Sequence, residues 1–200
     1  MTANVVMPKA SEQGHGHPTL HSFASPASQN YHADSKASVN CLVNRFLQAS
    51  CTYLSVGFYF IQDDVAISKF ASFFWDLSEE KHEQAEKLLA FQNCRGGESC
   101  PPGCQKPEQD EWGEWSCCHA CRYSTNEKSM NQALLEMHQI VMRHVDPHMC
   151  DFLETHYQDE EVKLIKKLRD HVTNLKRTRA HKDDFGEYLF DCLTLGESSY

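Results

Sequence analysis

Between two long stretches of helix-periodic sequence, residues 96–113 open with Gly96-Gly97, continue through Pro101-Pro102-Gly103 and Pro107, and close on Gly113. No single helix accommodates that run, because each proline lacks the amide a helix needs and glycine weakens a helix interior. A loop this long is uncommon inside a compact domain. It makes sense as a crossover that carries the chain the length of a helical bundle. That one segment restricts the fold to an all-α four-helix bundle with one long crossover.

The flanking sequence supplies the helices. After Ser35, a candidate N-cap, Val39, Leu42, Val43, Phe46, Leu47, Tyr53 and Leu54 recur at helical spacing. The first helix is thus predicted to about Phe60, and Ile61-Gln62-Asp63-Asp64 makes a short turn. A second helix is predicted from about Val65 to Asn93, and a third from roughly Glu114 to His144, its first third poor in helix formers. Asp146-Pro147 reads as an N-cap followed by proline at the first helical position, and opens a fourth helix to about Arg177. A short apolar fifth helix, Tyr188 to Leu195, completes the pattern. Residues 1–30 are rich in Ser, Pro, Gly, Ala and His without apolar periodicity. They are expected to form a disordered extension ahead of a single domain over 31–196.

The 200 residues suffice for one domain with a real core, and 40% apolar with 24% charged residues is a globular composition. A net charge of −9 argues against a nucleic-acid surface and favours cations. No apolar run approaches the roughly 18 residues of a membrane helix. The N-terminal stretch shows no cationic start followed by an apolar block, and no arginine precedes Arg45, so a cytoplasmic location is expected. Ten cysteines in that setting read as free thiols or metal ligands rather than disulfides. Cys100, Cys104, Cys117, Cys118, His119 and Cys121 supply enough soft ligands for zinc, but their spacing matches no common zinc module, and free cysteine is the simpler reading.

The second helix has two faces. At about 100° per residue, Phe70, Phe74, Leu77, Lys81, Gln84, Leu88 and Phe91 cluster on one side, the core face. Asp76, Glu79, Glu80, Glu83 and Glu86 fall on another. Like charges three or four apart repel by roughly 0.2–0.5 kcal/mol per pair. The stack therefore reads either as a site for hard cations such as Fe³⁺, which take carboxylate oxygens, or as a solvated face. A di-iron centre within a bundle needs inward Glu and Glu-x-x-His groups. Here the inward positions carry Phe46, Lys81 and Gln84, and Glu79 with His82 points away, so a packed core is the reading for that face.

Thr52-Tyr53-Leu54-Ser55, Gly57-Phe58-Tyr59-Phe60, Asp110-Glu111-Trp112-Gly113, Asn131-Gln132-Ala133-Leu134-Leu135, Asp146-Pro147-His148, Cys150-Asp151-Phe152-Leu153-Glu154-Thr155-His156 and Asp159-Glu160-Glu161-Val162-Lys163-Leu164-Ile165-Lys166-Lys167 resemble the vertebrate ferritins. The likeness covers about residues 29–196 and is closer to their light chains than to their heavy chains. It implies a ferritin-like four-helix bundle with a short fifth C-terminal helix, assembled into a twenty-four-subunit shell that stores ferric oxyhydroxide. It further implies co-assembly with heavy-type subunits and an iron cargo, Fe²⁺ in transit and Fe³⁺ in the mineral. The resemblance maps the heavy-chain ferroxidase positions onto Phe46, Tyr53, Glu80, Lys81, Gln84, Cys121 and Glu161. Only Tyr53 and Glu80 keep the heavy-chain types, so a subunit without its own ferroxidase centre is implied, with Lys81 and Glu161 filling the space of the metals. Asp76, Glu79, Glu80, Glu83 and Glu86 correspond to mineral-nucleating carboxylates. Asp151 and Glu154, with His138 and Cys150 nearby, correspond to the acidic lining of threefold pores.

The chain departs from the family in three places. The N-terminal extension is not a family feature. Thr178 to Asp184 replaces a Gly-Gly-Pro turn before the fifth helix. Glu114 to Asn126 is one residue longer than the family spacing and rich in poor helix formers. Two other functions fit the same residues: a relative with residual ferroxidase activity, and one that assembles poorly and has lost storage.

Overall fold

The computed structural model describes residues 28–63, 65–99, 116–177 and 191–192, with side chains in the third helix described from Tyr123 onward. The helices are α1 Ala33–Phe60, α2 Ser68–Cys94, α3 Ser116–Arg143, α4 Pro147–Leu153 and α5 Asp159–Arg177, with a π-helical turn, Glu154–Gln158, joining α4 to α5. No strand occurs among the described residues. The all-α four-helix bundle is thus the fold, its members being α1, α2, α3 and the unbroken run from α4 through α5. The crossover core, residues 100–115, lies outside the described residues, as does the fifth helix apart from Asp191 and Cys192. Most of the expected N-terminal extension is outside them too.

Local chemistry sets the helix ends. The cap of α1 is His32 rather than Ser35: the His32 side chain accepts from the Asp34 amide, while Ser35 is buried within the first turn. The second helix begins at Ser68 rather than Val65, because the Ala66 backbone takes a positive φ of 52° to close the preceding turn. Asp146 caps α4 by accepting from the Met149 amide at 3.2 Å, with Pro147 following as the sequence predicts. The start of α2 has no side-chain cap of its own. Asp191 supplies one from far along the chain, its carboxylate accepting from the Phe70 amide at 3.0 Å, and Lys69 Nζ donates to the Cys192 carbonyl at 3.2 Å.

The core falls into two apolar halves. One gathers Val56, Phe60, Phe70, Phe74, Tyr123, Leu168 and Val172; the other gathers Val39, Val43, Phe46, Leu88, Leu134, Met149 and Tyr157. Between them, at mid-bundle, lie three buried charged residues: Lys81 on α2, Glu127 on α3 and Glu161 on α5. Two helices also touch closely. The Ser78 hydroxyl donates to the Ser50 carbonyl at 2.8 Å, and a Cβ built on Gly57 would lie 2.3 Å from Trp75 Nε1. Alanine at 57 would gain about 1 kcal/mol of helix propensity, but overpacking a rigid indole costs about 1–3 kcal/mol. Gly57→Ala is therefore expected to lower stability by up to about 2 kcal/mol in urea unfolding, and replacing Trp75 by leucine in the same chain should restore most of it.

Candidate functional site

The mid-bundle layer is built by helix register. On α2, Lys81 is seven residues from both Phe74 and Leu88, on the buried face, so it must project inward. On α3, Ser124 aside, the buried positions run Tyr123, Glu127, Met130, Leu134, Met137 and Val141, an alternation of threes and fours that places Glu127 in an otherwise apolar stripe. On α5 Glu161 follows Tyr157 by one turn, and both are fully buried.

Their side chains converge on one point. Lys81 Nζ is 2.5 Å from Glu161 Oε1 and 2.8 Å from Glu127 Oε2. Tyr53 donates its hydroxyl proton to Glu127 Oε1. Phe46 closes the remaining wall, its ring centroid 5.5 Å from the ammonium. Burial pushes the Glu161 carboxyl up to about 8, against the pull of Lys81 and with the help of the neighbouring Glu127. The two carboxyls in turn hold the Lys81 ammonium above its ordinary range despite desolvation. Burial and the adjacent Glu127 also raise the Tyr53 phenol well above its usual value. Glu161 Oε2 has no hydrogen-bond partner among the described residues. One ammonium faces two carboxyl groups across an otherwise apolar layer.

Chemically, this space is occupied by a fixed cation. A second and third positive charge could enter only against the Lys81 ammonium. The oxygen donors Tyr53, Glu127 and Glu161 are present, but Gln84 is only half buried at the edge and, among the described residues, no imidazole faces the layer. Of the residues singled out in the sequence, Phe46, Tyr53, Lys81 and Glu161 are brought together. The side chain of Cys121 lies outside the described residues. The contribution of α3 is Glu127, which the sequence reading missed. The signal was available: counted back from Leu134, seven residues bring Glu127 onto the buried stripe, whereas counting forward from the crossover runs through the altered Glu114–Asn126 segment.

The acidic stripe is where its spacing put it. Asp76, Glu79, Glu80, Glu83 and Glu86 are all exposed on α2, away from the core. It is not a bare stack of anions, however. Glu83 pairs with Lys87 at 3.8 Å, and Glu86 lies 3.5 Å from His82. Glu80 and Glu83 also line a groove of about 370 Å³ against α5, where Glu160, Lys163, Lys167 and His156 face them. Loss of hydration at the groove wall raises the Glu80 carboxyl, while Lys167 and Lys81 pull it down. The groove presents carboxylates interleaved with ammonium groups.

At the other end of the molecule, His138 on α3 meets Glu154 at 2.8 Å. Cys150 is half buried nearby, its thiol pushed up by burial and by the charges of Glu154 and Asp146. Asp151 is exposed on the same segment. His138, Cys150 and Glu154 are therefore neighbours, and Asp151 stands one turn before Glu154. Cys41, Cys94, Cys150 and Cys192 are free thiols, whereas the side chains of the candidate zinc cysteines lie outside the described residues. No described helix is long and apolar enough to cross a membrane.

Known proteins carry the same arrangement of sequence. A model of the ferritin-like domain matches residues 36–178. The chain is 55% identical over 170 residues to the ferritin light chain, oocyte isoform, of Xenopus laevis, covering 84% of this chain and 95% of that protein. It is 52% identical over 173 residues to the ferritin light chain of Pongo abelii, covering 86% and 98% respectively. It is also 52% identical over 171 residues to the ferritin middle subunit of Salmo salar, covering 86% and 97%. A bundle of this topology, with likeness spanning nearly the whole of each relative, places the chain in the ferritin family.

Proposed function

We infer that this chain is an iron-storage subunit of the light-chain kind. It contributes to a multi-subunit shell, handles iron as cargo, and relies on other subunits to oxidise Fe²⁺. The single observation that carries this reading is the Lys81 ammonium held between Glu127 and Glu161, in the part of the bundle where a di-iron centre would have to be built. A resident cation there leaves no anionic pocket for two metals. Twenty-four subunits, heavy-type partners, a cytoplasmic location and a domain over residues 31–196 are parts of the same proposal. The test is Fe²⁺ oxidation by the purified homopolymer, followed optically under air. It should match iron in buffer alone, and rapid turnover would overturn the reading.

Within that role, Asp76, Glu79, Glu80, Glu83 and Glu86 offer oxygen ligands to Fe³⁺ as mineral begins to form. Asp151, Glu154, His138 and Cys150 serve as a path for entering Fe²⁺. Replacing Glu79, Glu80 and Glu83 together by alanine is expected to slow mineral growth in shells mixed with an oxidising subunit, with assembly intact by gel filtration. Unchanged growth curves would remove the stripe from the mechanism. Stability should rise by no more than a few tenths of a kcal/mol per relieved like-charge pair, because Glu83 also loses Lys87.

A further inference from the structure

A second cluster of metal-ligand side chains lies at the start of α1, apart from the acidic stripe, the pore cluster and the mid-bundle layer. His32, Asp34 and His144 each offer a ligand atom, and these atoms all lie within 4.8 Å of one another. Asp34 Oδ2 approaches one nitrogen of each imidazole, 3.4 Å from His32 Nδ1 and 3.1 Å from His144 Nε2. A tetrahedral zinc with bonds of about 2.0–2.2 Å spaces its ligand atoms roughly 3.3 Å apart. Two of the three spacings are already of that size. The two rings stack with centroids 3.6 Å apart. The third spacing lies within 4.8 Å, and closing it takes a rotation of the half-exposed His32 side chain out of the stack and away from the Asp34 amide, from which it accepts as the cap of α1.

Residues 110 positions apart do not meet here by accident of one helix. His32 and Asp34 belong to the start of α1, where an acid in the first turn complements the helix dipole. His144 follows the last residue of α3, in the turn to α4. That turn is strained: Val145 adopts φ 53°, unusual for a β-branched residue. The Asn30 side-chain amide donates to the Val145 carbonyl at 3.2 Å, and Asp34 takes His144 beside it. Such a backbone persists only where its surroundings over-determine it. The cluster is the tie between the strained turn and the beginning of the bundle.

We propose that His32, Asp34 and His144 form a surface site for a borderline divalent cation of the Zn²⁺ class, which clamps the start of α1 to the α3–α4 turn. Two imidazoles and one carboxylate are a donor set for Zn²⁺, Cu²⁺ or Fe²⁺ rather than for Ca²⁺ or Mg²⁺. Three protein ligands leave a fourth position for water. The site does not depend on the storage reading, and it shares no residue with the stripe, the pore cluster or the mid-bundle layer.

The experiment is titration of the full metal-free chain with Zn²⁺, read by calorimetry and by the melting temperature. His144→Lys is the decisive variant, since an ammonium can keep the partnership with Asp34 but cannot bind the metal alongside it. His32→Ala removes a ligand together with the α1 cap and leaves His144 paired with Asp34, so its zinc response is read against its own metal-free melting temperature. Wild type is expected to bind one more Zn²⁺ per chain than either variant, or to bind that equivalent at least about tenfold more tightly, with a Zn²⁺-dependent rise in melting temperature that both variants lack. Cu²⁺ should report the same site by electron paramagnetic resonance, as a two-nitrogen signature in wild type that His144→Lys abolishes. Equal Zn²⁺ stoichiometry, affinity and thermal shift in all three proteins would show the cluster to be only a stacked, ion-paired tie, and would overturn the proposal.

Discussion

Lys81→Met is expected to destabilise the bundle by about 3–5 kcal/mol, the cost of leaving buried charge without its partner. Methionine nearly conserves the volume, so little of that loss is a cavity. What remains is two carboxyls, Glu127 and Glu161, facing each other in an apolar interior with no cation between them. The deficit should depend on pH. The Glu161 carboxyl already sits at about 8 in the folded wild type, above its unfolded value. A raised carboxyl contributes stability that is fully present below the ordinary carboxylate range and is lost as pH rises through about 8. Removing Lys81 raises it further, so the variant should lose most at alkaline pH and recover as pH falls toward 5. Denaturant unfolding at several pH values measures both effects. A triple variant, Lys81→Met, Glu127→Gln and Glu161→Leu, should regain most of the stability, because replacing a whole buried charged group is often neutral. A single substitution that proved harmless at pH 8 would mean that water reaches the layer.

The second large effect is a gain of activity. Phe46→Glu, Lys81→Glu, Gln84→His and Glu161→Gln together are expected to convert the chain into one that oxidises Fe²⁺ far faster than buffer does. The four changes restore the groups that the likeness to heavy-type ferritins implies. They exchange the resident ammonium and its phenyl wall for carboxylates and an imidazole. Tyr53 and Glu127 are already in place, and Glu127 makes any change at Cys121 unnecessary. Metal-free, the variant gathers acids in a dry core and should melt well below wild type; Fe²⁺ should raise its melting point by mass action. Optical progress curves under air supply the rate. Absence of both iron-dependent stabilisation and oxidation would show that the layer is not a metal site with its metals displaced.

Much of this was readable from the residues. The apolar faces of the first two helices, the Asp146-Pro147 start and the exposure of the acidic stripe follow from a 3.6-residue period and cap chemistry. Lys81 was legible because a charge in an apolar stripe stands out, whereas Glu161 was implied by the resemblance to the ferritins. Glu127 obeys the same rule and was missed, because the poor helix formers before it obscure where the stripe of α3 begins. Ser35 was misread as a cap because serine is the more familiar residue there, whereas a histidine ring nitrogen can accept the same amide. The ion pairs that temper the stripe were legible only in part: Glu83 with Lys87 is a spacing of four, but the basic wall of the groove comes from α5, and packing of one helix on another leaves no mark in a local window.

The π-helical turn at Glu154–Gln158 has a consequence for the whole rod from Pro147 to Arg177. Met149, Leu153, Tyr157 and Glu161 are all buried, each four residues from the next. In a straight α-helix four residues turn about 400°, so a run of three such steps drifts about 120° around the axis. The wider turn absorbs that drift and acts as an expansion joint between two segments of different rotational phase. The segment carrying Asp151 keeps its orientation toward the surface, while the segment beyond keeps Glu161 aimed at Lys81. Loss of one residue within the joint would swing everything after it by about 100°, turning the buried carboxyl outward while leaving the Asp146 cap and the first turns of α4 undisturbed.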